Sequence, residues 1–292
     1  MKSTIALMIS IAAFVSVSLG QSAPAKNPFP AKMETFQIPS HGAGLNALVY
    51  VAEGAGPHPV VILLHGFPGN ERNLDLAQDI RRAGWDVLYF NYRGSWGTLG
   101  NFSFANSIED VASAVAYLRQ PNTAKLLRLD PDRVVLVGHS MGGFMAVNAG
   151  AADPSIIAVG LISAADMPGR VPEQLSKADE PAFIKRYAGV LANEGMAPLA
   201  GCTPEGLGRE LIDNAARWRF AANVDGLKTR PTLVITSDDG LQGAGDAFAS
   251  ALAKAGNSRV TTTHFATDHS YSDKRQELSA AVRKWLASVA PQ

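Results

Sequence analysis

The sequence predicts an α/β fold built on a doubly wound, mostly parallel sheet, and three observations carry that expectation. Short apolar runs without polar alternation recur along the chain, as strands covered on both faces require. Between them, apolar residues return at helical spacing, and strands alternating with helices are the pattern of a parallel sheet. The third observation is a glycine-rich junction, Gly138-His139-Ser140-Met141-Gly142, lying between an apolar run and a helical segment. In such sheets ligands meet the carboxyl ends of the strands, where this junction falls.

Taken in order, the chain opens with Lys2, an apolar stretch from Ile5 to Val17, and small residues at Ser18-Leu19-Gly20 before Gln21. This is the form of a secretory signal peptide, residues 1–20, shorter than the ~20 apolar residues that span a bilayer. Ala23-Pro24-Ala25 offers a second cut. Residues 21–33, rich in Pro and Ala, are expected to be a flexible leader, and 34–292 the folded domain. Glu34–Ile38 and Leu45–Ala52 are expected to pair as an antiparallel hairpin at the sheet edge.

The central strands are Val60–Leu64, Val87–Phe90 and Val134–Val137. Leu74, Ala77, Ile80 and Ala83 mark a helix that Gly84 stops. Ser107 and Asp110 have the spacing of a capping box for a second helix lined by Ile108, Val111, Val115 and Leu118, with Pro121 as its end. A helix from Ser140 to Ala152 leaves the third strand directly. Two more strands follow at Ile156–Ile162 and Thr232–Thr236, then a last strand at Arg259–Phe265 and a C-terminal helix. The stretch from about 166 to 225 interrupts the alternation with Pro, Gly and short helical patterns, including Leu207 to Phe220. It reads as a helical cap inserted over the site.

Composition narrows the function. Of 292 residues 47% are hydrophobic, and Lys plus Arg (26) balances Asp plus Glu (26). No charge run suits nucleic acid or a polybasic membrane contact, so no nucleic-acid partner and no stable membrane anchor after signal cleavage is expected. Cys202 is the single cysteine, which rules out an intrachain disulfide and a cysteine zinc cluster. With no His-x-x-x-His pair and no phosphate-loop form, neither a metal nor a cofactor is expected.

The chemistry gathers at four places. The junction at 138–142 is a G-x-S-x-G sequence, in which a sharp strand-to-helix turn lifts Ser140 above the sheet edge. A serine hydroxyl needs a base, and of six histidines only His269 combines a loop position after the last strand with the chain order serine, acid, histidine. His264 lies on that strand, and His65 is read as a brace for its own loop. The imidazole needs a carboxylate, and the loop after the preceding strand, Ser237-Asp238-Asp239-Gly240, supplies two. The anion of a tetrahedral intermediate needs two backbone N–H groups. Met141 offers one, and Phe67 the other, because Pro68 has none.

With these pieces placed, the chain resembles the α/β-hydrolase superfamily over nearly all of its mature length. The matching motifs are His65-Gly66-Phe67, Gly138 to Gly143, Ser237 to Gly240 and Asp268-His269-Ser270. The resemblance implies a serine hydrolase with an acyl-enzyme intermediate and a small-molecule ester or short peptide as substrate. The acid loop is one residue shorter than is usual in that superfamily. Asp239 is chosen over Asp238 because Gly240 beside it permits the tight turn toward His269. Asn91 to Gly97 is similar to the N-x-R-G-S-x-G run of prolyl-oligopeptidase-type catalytic domains. Ester cleavage, as in the dienelactone-hydrolase and esterase branches, is therefore expected first, peptide or amide cleavage second, and a non-catalytic binding protein on the same scaffold third. Arg93 is expected to pair with a carboxylate beneath the site.

Overall fold

Side chains along the central strands divide between two cores. In the computed structural model, which describes residues 27–289, β3 (His58–Leu64) sends Val60, Ile62 and Leu64 into one apolar cluster. Val61 and Leu63 enter a second cluster on the opposite face. In β5 (Leu129–His139), Val134 and Leu136 join the first and Val135 and Val137 the second. The two-residue period of a strand thus turns an unbroken apolar run into a wall with two greasy faces. The stretch read as a signal peptide lies outside the described residues.

Helices cover both faces. α1 (Leu74–Arg82) and the C-terminal α9 (Arg275–Val289) bury Leu76, Ile80, Leu278, Val282 and Trp285 in the second cluster. The first cluster receives α2 (Phe104–Leu118) and α4 (Met141–Ala152). The remaining strands are β1 (Lys32–Ser40), β2 (Ala43–Val51), β4 (Asp86–Phe90), β6 (Ala158–Ile162), β7 (Thr232–Ser237) and β8 (Val260–Phe265). They form one eight-stranded sheet in the order β1-β2-β4-β3-β5-β6-β7-β8, antiparallel at β1, β2 and β4 and parallel from β4 onward. The fold class is the one expected. The N-terminal hairpin turns on His41 and Gly42, both at positive φ (47° and 83°), as a two-residue hairpin loop requires.

Several local expectations need correction. β1 begins at Lys32, inside the stretch read as leader. α2 starts at Phe104, and its cap is Ser103, whose Oγ accepts the Asn106 N–H at 3.0 Å. Ser107 sits one turn inside the helix, and Asp110 is fully buried against Arg93 instead of closing a capping box. Phe104, packed edge-on to Phe144 with ring centroids 6.2 Å apart, extends the helix past the polar signal. Pro121 does not end the segment but opens α3 (Pro121–Leu127), using the first helical position where its missing N–H costs nothing. α8 (Gln242–Lys254) was not foreseen: its buried face holds Gly245 and Ala249 beside Phe248 and Leu252, a weak apolar stripe.

Between β6 and β7 the chain leaves the sheet. α5 (Glu180–Asn193) and α6 (Pro204–Trp218) pack on one another there, followed by the single turn α7 (Val224–Leu227). α6 starts three residues before the expected Leu207, capped by Thr203 Oγ1 on the Gly206 N–H at 3.0 Å. Its last residue, Trp218, meets Phe144 of α4 edge-on at 5.8 Å, which anchors these helices to the sheet layer.

Candidate active site

A tight turn at Ser140 joins β5 directly to α4. Ser140 holds φ 57° and ψ −122°, a conformation costly to a residue with a Cβ. The glycines around it are there for lack of room. A Cβ on Gly138 would stand 2.0 Å from the Gly142 carbonyl oxygen, and one on Gly142 2.0 Å from the Leu64 carbonyl oxygen. One on Gly143 would meet the Ala164 Cβ at 2.3 Å. Gly66 passes over the serine itself, where a Cβ would lie 2.9 Å from the Ser140 Cβ. Two loops therefore close on Ser140 from above and below.

Ser140 opens on a cavity of about 400 Å³ that it shares with His269, Asp239 and Phe67. His269 Nδ1 donates to Asp239 Oδ2 at 2.7 Å, and the Asp239 side chain is only 4% exposed. Asp239 Oδ1 accepts the Leu241 N–H at 2.8 Å. Burial alone would push the Asp239 carboxyl up. His269, the Leu241 amide and the hydroxyls of Ser163 and Ser237 more than reverse that and hold it well below the ordinary carboxylate range. The neighbouring Asp238 points elsewhere: its side chain is 61% exposed and stands 3.2 Å from His264 Nε2. His264 Nδ1 in turn lies 3.0 Å from Thr236 Oγ1. The structure brings Asp239, not Asp238, to His269, and keeps His264 outside the cavity.

Met141, fully buried, is the first residue of α4, where a helix leaves its N–H groups without intrahelical acceptors. Neither the Met141 nor the Phe67 amide donates to a backbone carbonyl among the described residues. His65 is a brace. Burial lowers its pKa to about 4, so the ring is neutral, and Nδ1–H donates to the Gly66 carbonyl at 2.8 Å. Tyr92 Oη donates to the His65 carbonyl at 3.2 Å.

The Asn91–Gly97 run is a structural junction, and none of its residues lines the cavity. Arg93 binds Asp110 through its backbone N–H (2.8 Å) and Nε (2.6 Å), and Glu109 through a terminal nitrogen at 2.6 Å. Trp96 Nε1 donates to the Pro68 carbonyl at 2.8 Å, tying the run to the Phe67 loop. Sequence reasoning missed His139, whose Nε2–H donates to the His269 carbonyl at 2.8 Å. Burial, then the charge on His269, lowers its pKa to about 4. It also missed the far wall, where Asp166, Arg170, Tyr187, Leu191 and Glu194 face the serine. Burial raises the Asp166 pKa to about 6. His139 stood inside a quoted motif, but nothing in the spacing of the far-wall residues marks them.

A model of the alpha/beta hydrolase family matches residues 61–282. The chain belongs to that family. This α/β-hydrolase is 29% identical over 187 residues to an uncharacterized 31.7 kDa protein from the traX-finO intergenic region of Escherichia coli, covering 61% of this chain and 62% of that one. It is 28% identical over 139 residues to a 2,6-dihydropseudooxynicotine hydrolase of Paenarthrobacter nicotinovorans, covering 47% and 36% respectively. The chain thus spans less than two thirds of the length of these curated relatives. Among solved structures, a hyperthermophilic esterase of Pyrobaculum calidifontis has a TM-score of 0.66 at 20% identity, over 90% of this α/β-hydrolase and 88% of that chain. The carboxylesterase EstE1 from a metagenomic library has a TM-score of 0.64 at 22% identity, over 91% and 92%. At such identities the likeness speaks to the fold.

Proposed function

We propose that this α/β-hydrolase is an exported serine esterase in which Ser140 is the nucleophile, His269 the general base and Asp239 the acid. One observation carries the reading: a serine held in a strained turn shares a cavity with a histidine whose other ring nitrogen is 2.7 Å from a buried carboxylate. In that arrangement His269 Nε2 takes the Ser140 proton as Oγ attacks the ester carbonyl. Asp239 fixes the tautomer and supports the imidazolium. The amides of Phe67 and Met141 receive the oxyanion. Collapse expels the alcohol, which leaves with the proton from Nε2, and water repeats the sequence to free the acid and Ser140. Neighbours named as esterases and a relative named as a hydrolase support hydrolysis, and ester cleavage first. The peptidase-like run at 91–97, which favoured peptide cleavage, is occupied in holding loops together. Export rests on the form of residues 1–20 alone.

The test is labelling by a fluorophosphonate probe, followed by a panel of short acyl esters and aminoacyl amides. We expect one adduct, on the peptide carrying Ser140, and turnover of esters ahead of amides. Absence of labelling in folded protein would leave a non-catalytic scaffold, and faster turnover of amides would exchange the first two readings.

A further inference from the structure

Away from the cavity surface, three hydroxyl groups are buried in a row beneath the acid loop. Ser163 follows β6, Ser237 ends β7, and Tyr271 lies two residues beyond His269. Ser163 Oγ is 2.8 Å from Ser237 Oγ and 2.8 Å from Tyr271 Oη. Ser163 is 2% exposed, and Ser237 and Tyr271 not at all. Both serine hydroxyls bear on the Asp239 carboxylate.

Two of the three residues hold unusual backbones, Ser163 at φ 42° and Tyr271 at φ 57°. A left-handed conformation in a residue with a Cβ costs roughly 1–2 kcal/mol, and such outliers persist where the surroundings over-determine them. Here the hydroxyl row adds to main-chain bonds, from the Ser163 N–H to the Ile235 carbonyl (2.8 Å) and from the Tyr271 N–H to the Asp268 carbonyl (3.1 Å). Ser163 Oγ stands in the middle of the row, between the phenol of Tyr271 and the hydroxyl of Ser237.

This row joins the ends of three strands. Asp239 stands on the loop after β7 and His269 on the loop after β8, and Tyr271 and Ser237 belong to those same two loops. The turn beside the acid supplies no such restraint, because a Cβ on Gly240 would meet nothing within 4 Å.

We propose that Tyr271, Ser163 and Ser237 are positioning residues of the triad, their hydroxyl row locking the acid loop to the base loop in the register in which Asp239 Oδ2 meets His269 Nδ1. This rests on the reading of Ser140, His269 and Asp239 as the triad. The row ties the acid loop, through the end of β6, to the base loop.

Tyr271→Phe removes one oxygen and keeps the ring packed edge-on against Phe265. With p-nitrophenyl acetate we expect kcat to fall about tenfold, as loss of one buried hydrogen bond implies, with KM within twofold. A slackened Asp239–His269 contact gives the imidazolium less support, so the acid limb of kcat/KM moves to lower pH. Ser237→Ala should act the same way, and Ser237→Thr, which keeps the hydroxyl, should recover most of the rate. Wild-type kcat and an unmoved acid limb in Tyr271→Phe overturn the proposal, even if the variant melts at lower temperature. So does a Ser237→Thr variant as impaired as Ser237→Ala. A wild-type protein that no fluorophosphonate labels overturns the triad reading and this inference with it. A labelled wild type with unaffected variants overturns this inference alone.

Discussion

The serine turn and the acid loop lie a few residues past the ends of β5 and β7, and they hold their side chains by opposite means. At the turn, position is set by exclusion. A Cβ on Gly138, Gly142 or Gly143 would stand 2.0 to 2.3 Å from another atom, so Ser140 has one place to be. At the acid loop, position is set by attraction. Gly240 has open space around it, and Asp239 is held by the Leu241 N–H, His269 and the buried hydroxyls. Exclusion leaves a mark in the sequence, because only glycine fits and the spacing is rigid. Attraction leaves little, because many residue types can donate a hydrogen bond.

The comparison can be broken most severely at the nucleophile. Ser140→Ala should lower kcat by about 10⁶-fold and leave melting unchanged, with His269→Ala close behind and His264→Ala mild. A more damaging His264→Ala would mean the base is misplaced. Next comes the acid. Asp239→Asn should cost on the order of 10⁴ in kcat and Asp238→Asn at most a few-fold, measured side by side on one ester. The reverse ranking would exchange the two residues.

Stability separates the two loops in the opposite sense. Gly142→Ala drives a Cβ into backbone and should cost about 3 kcal/mol or more, visible in urea unfolding. A near-neutral result would deny that the turn is sterically closed. The acid loop should instead show a pH signature. The Asp239 carboxyl is lower in the folded than in the unfolded protein, so its contribution is present above the unfolded value of ~3.9 and lost as pH falls below it. The stability gap between wild type and Asp239→Asn should be on the order of 2 kcal/mol at pH 7 and narrow toward pH 3. A gap independent of pH would mean that the charge is not what the loop stabilises. The smallest effect belongs to Gly240→Ala, about 1 kcal/mol for an alanine at φ 81°.

The same contrast explains what could be read without the structure. The parallel strands were legible because a doubly covered strand admits only apolar side chains, and the turn at Ser140 because its glycines are obligatory. His269 was legible by chain order, and Asp239 only with the help of the glycine beside it. The start of α2 was misread because Ser107 and Asp110 satisfy a capping spacing while serving other partners: Ser107 Oγ donates back to the Ser103 carbonyl, and Asp110 binds Arg93 and Ser40. The hydroxyl row escaped altogether, since Ser163, Ser237 and Tyr271 become neighbours only once β6, β7 and β8 stand side by side.

The junction at 91–97 has a mechanical consequence. Trp96 N–H donates to the Pro198 carbonyl at 3.0 Å, Ala200 N–H to the Gly94 carbonyl at 2.7 Å, and Phe102 N–H to the Ala200 carbonyl at 2.9 Å. The excursion between β6 and β7 is therefore moored in its middle as well as at its two covalent ends. A strap fastened at three points cannot lift away as one piece. Residues 198–218, with α6, are clasped to the scaffold, and the span from Asp166 to Met196 forms an arm held in turn by α5 packing on α6 and by Arg209 paired with Glu180. That arm carries Tyr187, Leu191 and Glu194 over the serine. The Phe67 loop is pinned through Trp96 to the same mooring, so two walls of the cavity hang from one junction.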